Sequence, residues 1–120
     1  MDVDFNEISF KHTQWRIRLH RFLSGEENLT LEQAGTHRGC ALGQWIHSEG
    51  RKNFGHLREM LDLAKVHRDM HDAVIATIRA KQAGHRDAAD ASLAAVEALS
   101  RKVVQQIHTI EMIVTKTAMR

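Results

Sequence analysis

The stretch LREMLDLAKVHRDMHDAVIATI, residues 57–78, decides the fold. Its positions Leu57, Met60, Ala64, His67, His71, Val74 and Ile78 follow one another at alternating steps of three and four. That alternation keeps one stripe of a helix turned toward a partner and does not fit the two-residue period of a strand. The same signature lies on either side. Phe5, Ile8, His12, Trp15, Leu19 and Phe22 carry it upstream; Ala89, Leu93, Val96, Ser100, Val103, Ile107, Ile110 and Val114 carry it downstream. Seams sustained in this way predict an all-α, four-helix-bundle-like fold built on three long helices with shallow crossing angles.

The breaks between the seams agree. Ser24-Gly25 ends the first helix and Gly84 the second, since glycine adopts the left-handed cap without penalty. Asp87 is expected to cap the third. No proline interrupts any of them. The connection from 25 to 55 differs: it holds Gly25, Gly35, Gly39, Gly43, Gly50 and Gly55 between short apolar stretches. It reads as a loop with one or two short helices, near Leu31–Ala34 behind Thr30 and near Leu42–Ser48. Irregular connections of this length in a compact domain are usually functional. The whole of 1–120 is expected to be one domain, because a chain of this length buries a single core.

Composition narrows the function classes. The chain is 42% hydrophobic and 27% charged, as a soluble globular protein is. No apolar run is long enough to span a membrane, and the N-terminal stretch MDVDFNEISFKHTQW lacks the apolar centre of a signal peptide. The single cysteine fits a reducing cytoplasm, where thiols serve as ligands or reactive groups. A net charge of +2, with acids interspersed, gives no argument for nucleic acid. Cytoplasmic location, with neither membrane nor nucleic acid as partner, is the expectation.

Nine histidines are the unusual feature. His67 and His71 sit four residues apart on the buried seam, so their imidazoles stack on one helical face and can converge on one ion. His12 holds the corresponding seam position of the first helix. One core histidine is more commonly a hydrogen-bonded residue than a ligand. Three on seams would leave several polar nitrogens to satisfy, and a metal satisfies them at one point. Cys40, flanked by Gly39 and Gly43 in the connection, is the fourth candidate. Zn²⁺ takes mixed nitrogen and sulfur donors in a tetrahedron. Trp15 and Trp45 follow these residues closely and are expected to be core residues shielding the metal. His20, His37, His47, His56, His85 and His108 have no matched spacing and read as surface or capping residues, although His37 is near enough to Cys40 to compete as a ligand. Ser100 interrupts an apolar seam, where it is expected to bond its own helix backbone or, less commonly, a ligand histidine. Asp69 and Asp72 point away from the His67–His71 face and receive no role.

Three motifs in order, His12-Thr13-Gln14-Trp15, Cys40-Ala41-Leu42-Gly43-Gln44-Trp45 and His67-Arg68-Asp69-Met70-His71, resemble the chemoreceptor zinc-binding domain family of bacteria. Twenty-four residues separate Trp15 from Cys40 and twenty-one separate Trp45 from His67, gaps within what that family shows. The flanking Arg21-Phe22-Leu23-Ser24-Gly25-Glu26-Glu27 adds to the likeness. The resemblance implies a helical bundle holding one zinc by three histidines and a cysteine, here His12, Cys40, His67 and His71. It implies a regulatory part of cytoplasmic chemoreceptors or diguanylate cyclases, or a stand-alone protein, often homodimeric. It further implies that the zinc-bound cysteine, Cys40, is a redox switch oxidised by hypochlorous acid, or that zinc occupancy itself regulates the attached output.

Rival readings are weaker. A hydrolytic zinc site needs an open position and a carboxylate base, and no His-Glu-x-x-His occurs. A di-iron bundle needs Glu-x-x-His pairs, which are also missing. A haem held by a histidine pair does not account for the cysteine. No enzymatic activity is expected. The competing class is a dimerisation module with a purely structural zinc, using the off-seam residues Leu61, Ile75, Val104 and Ile113.

Overall fold

The computed structural model describes residues 5–31 and 41–118, with the side chains of Ile8, Lys11, His12, Trp15, Ala41, Thr117 and Ala118 left aside. The described residues are helical and contain no strand. Helix α1 spans Phe5–Ser24; α2 covers Ala41–Trp45 and runs through a π-helical turn, Ile46–Gly50, into α3, Arg51–Phe54. Helices α4, Arg58–Gln82, and α5, Arg86–Ala118, form the long antiparallel pair. The three long helices are those expected from the seams.

Each glycine stop does what left-handed backbone allows. Gly25 at φ 84° follows α1, where Glu26 N–H donates to Arg21 O at 2.9 Å. Gly84 at φ 79° follows α4, where His85 N–H donates to Ala80 O at 2.9 Å. Both are Schellman-type closures that satisfy terminal carbonyls. Asp87 departs from expectation. It falls inside the first turn of α5, so its carboxylate faces the positive helix end instead of capping it.

The connection is more helical than the glycine count suggested. Residues 41–54 form one uninterrupted helical segment, so the short helix expected near Leu42–Ser48 is present and longer. Gly43 and Gly50 are buried within it. A Cβ at Gly50 would lie 2.9 Å from Met60 Cε and 3.1 Å from Trp45 Cζ3. That glycine is a close-packing point, not a breaker. The helix expected at Leu31–Ala34 falls, beyond Leu31, outside the described residues.

Packing occurs in two apolar clusters. The first, near the α4–α5 turn, holds Leu19, Phe22, Leu23, Leu29, Met70, Val74, Ile78, Ala89 and Val96. The second, at the opposite end, holds Phe5, Leu42, Ile46, Phe54, Met60, Leu63, Val103, Ile107 and Ile110. Helix α1 therefore runs parallel to α4 and antiparallel to α5. The segment 41–54 covers only the second cluster. No helix among the described residues is long and apolar enough to cross a membrane.

Candidate metal centre

Between the two apolar clusters lies a polar layer. His67 (1% exposed), His71 (3%) and Ser100 (2%) are buried there. Leu63 of one cluster and Val74 of the other bracket the histidines along α4; Val96 and Val103 bracket Ser100 along α5. The His67 and His71 Nε2 atoms approach to 3.1 Å, with ring centroids 4.6 Å apart and planes 79° apart. One helical turn of separation produces this convergence, as the i, i+4 spacing requires.

The two nitrogens are close enough to share one ion. Two nitrogens bound to one tetrahedral zinc at about 2.0–2.1 Å stand about 3.3 Å apart by simple trigonometry. The observed 3.1 Å is close to that value. Without a metal, only one of the two Nε2 atoms can carry a proton and donate to the other. With a cation between them, both present lone pairs. The donor set thus fits a borderline-soft divalent ion and leaves two tetrahedral positions to other residues.

The other expected ligands are placed only in part. His12 lies on the α1 backbone seven residues from Phe5, in one cluster, and seven from Leu19, in the other. Its position is therefore level with the histidine layer; its side chain lies outside the description. Cys40 lies outside the described residues, immediately before α2, and His37 is outside them too. Among the described residues, no group of three or more His, Cys, Asp and Glu side chains comes together.

Trp45 is half-buried and packs edge-on to Phe5 at 5.9 Å and beside Phe54 at 6.2 Å. Its ring belongs with the second cluster. The remaining described histidines, His20, His47, His56, His85 and His108, are exposed. His20 still has a partner across the helices, the Glu97 carboxylate of α5, which also lies 3.6 Å from Arg16. Asp69 pairs with Lys65 at 3.1 Å, away from the histidine face.

Two features escaped the seam reading. Lys81 of α4 donates to the carbonyls of Phe22 at 2.7 Å and Leu23 at 3.0 Å, closing the end of α1. A groove between α1 and α5, lined by Thr13, Arg16, Ser100, Arg101 and Val104, reaches the polar layer at Ser100. Ser100 on an apolar seam was the one signal in the sequence pointing to it.

Comparison with known proteins adds a family. The model of the chemoreceptor zinc-binding domain matches residues 12–78, more than half of the chain. The match begins at His12 and includes Cys40 and the His67–His71 pair. No curated protein and no solved structure gives a match.

Proposed function

This chain belongs to the chemoreceptor zinc-binding domain family, a family of zinc-binding sensory and regulatory domains, and from that premise we propose which residues hold the metal and how it is sensed. One Zn²⁺ sits in the polar layer, with His12, His67 and His71 as nitrogen ligands and Cys40 as the sulfur ligand. The observation that carries this reading is the buried 3.1 Å approach of the His67 and His71 Nε2 atoms between two apolar clusters. The backbone level of His12, and Cys40 at the entrance to α2, support it.

The ligands are unequal. Three histidines come from long helices, and two of them, His67 and His71, are buried between the apolar clusters. The cysteine comes from the connection. Bound to zinc, Cys40 is held as thiolate and is the oxidisable member of the set. With hypochlorous acid as oxidant, the Cys40 sulfur takes up the oxygen, becoming sulfenic acid, and chloride leaves. Sulfenic acid is the poorer ligand, so oxidation loosens the connection while the histidines stay. Either this oxidation or zinc occupancy is the regulatory event for an attached or interacting chemoreceptor or cyclic-di-GMP signalling domain.

A homodimer belongs to the same proposal. Leu61 (68% exposed) and Val104 (37%) lie off the seams, as do Phe10, Ile17 and Met112, all exposed and apolar. Their exposed apolar side chains are the surface proposed for a second copy. If dimerisation were the whole function, zinc would be purely structural.

Zinc content of the His12→Ala, Cys40→Ser, His67→Ala and His71→Ala proteins tests the ligand set. Each is expected to lose at least tenfold in zinc affinity. Full retention by any one removes that residue from the set. Mild hypochlorous acid should release zinc or alter helix packing in the parent protein and not in Cys40→Ser; identical responses would end the sensor reading.

A further inference from the structure

The groove between α1 and α5 encloses about 280 Å³ and is lined by Thr13, Arg16, Ser100, Arg101 and Val104. Its floor is Ser100, 2% exposed, whose hydroxyl has no hydrogen-bond partner among the described residues. Serines inside helices ordinarily bond the carbonyl four residues back. Thr13 does so, donating to Ser9 O at 2.9 Å, and Ser100 does not. A buried hydroxyl left in this way seeks an acceptor.

The walls supply positive charge. Arg16 is 3.6 Å from one Glu97 oxygen, while the other oxygen of that carboxylate meets His20. Arg101 is exposed and has no ion pair among the described residues. No carboxylate is among the described lining residues; the Glu97 carboxylate stands behind Arg16. Val104, itself 37% exposed, adds one apolar edge to the open groove.

We propose that this groove is a binding site for a small inorganic oxyanion of the sulfate or phosphate class. Ser100 Oγ donates to the anion at the floor, and the Arg16 and Arg101 guanidinium groups donate at the mouth. None of the five described lining residues is a proposed zinc ligand, and Ser100 shares the buried polar layer with His67 and His71.

Titration of the zinc-loaded full chain with sulfate, at ionic strength held constant with chloride, tests it. Amide resonances of Thr13, Arg16, Ser100, Arg101 and Val104 should shift and saturate. Arg101→Gln and Ser100→Ala should each weaken the binding about tenfold, as loss of a hydrogen bond to a charged group does. Lys102→Gln, an adjacent cation outside the groove, should leave it unchanged. Linear shifts without saturation, or equal losses in Lys102→Gln and Arg101→Gln, would mean that water fills the groove and sulfate acts only by screening; either result overturns the proposal.

Discussion

His67 and His71 face each other one turn apart on α4, Nε2 to Nε2 at 3.1 Å, with apolar clusters on both sides. A cation shared by the two nitrogens would favour the folded chain over the unfolded one. Binding the folded chain alone, it would stabilise by about 2.7 kcal/mol at a free concentration of a hundred times Kd. Zinc at that excess should raise the melting temperature by about 10 °C for a domain of this size. In the His67→Leu/His71→Leu protein the zinc increment should vanish while the helical circular dichroism persists. A melting temperature that still rises with zinc would place the ion elsewhere.

Leu61 and Leu63 stand two residues apart on the same helix with opposite surroundings. Leu63 is fully buried in the second cluster and Leu61 is 68% exposed. Leu63→Ala should destabilise by about 2–5 kcal/mol, since it leaves a cavity. Leu61→Ala should change stability by less than about 0.5 kcal/mol in the monomer. Urea unfolding of the two variants checks this. Equal effects would mean that α4 turns a different face to the core.

A Cβ added at Gly50 would lie 2.9 Å from the Met60 methyl and 3.1 Å from both the Trp45 ring and the Trp45 carbonyl, so a neighbour must shift to admit it. Gly50→Ala should cost about 1–3 kcal/mol from overpacking, despite alanine's better helix propensity. Because the nearest atom is the Met60 methyl, Met60→Ala in the same chain should cost less than it does alone. A double-mutant cycle reads the coupling directly, and strict additivity would show that the contact is not the cause.

Lys81 ties α4 to the carbonyl end of α1 and lies 5.0 Å from the Phe22 ring centroid. Lys81→Met keeps the apolar stem and removes the donor. A loss of about 1–2 kcal/mol is expected. Faster amide exchange should be confined to the last turn of α1. Uniform acceleration along α1 and α4 would point to general loosening instead.

Much of this architecture was legible from spacing alone. Of the α5 seam, Ala89, Val96, Ser100, Val103, Ile107 and Ile110 are buried and Leu93 and Val114 half-buried, because α5 offers a single face to its partners. Helix α4 was only half legible. Leu63, Met70 and Thr77 are buried beside the predicted seam, since α4 is enclosed on more than one side and a single stripe understates its core face. Gly50 lies beyond the short helix expected near Leu42–Ser48, because a glycine where backbone meets side chain reads the same in sequence as one in a turn. Lys81 with the α1 carbonyls, and His20 with Glu97, join residues far apart in the chain, and no local period announces them. At the candidate metal site, the approach of the His67 and His71 rings was legible, because helix geometry alone brings residues four apart together.

The most direct test is zinc K-edge X-ray absorption on the purified, zinc-loaded protein, with metal content measured on the same sample. The account predicts one zinc per chain, three nitrogen neighbours at about 2.0 Å and one sulfur at about 2.3 Å, the sulfur lost in Cys40→Ser. A first shell of nitrogen and oxygen alone in the parent protein, or a sulfur that survives Cys40→Ser, would contradict it.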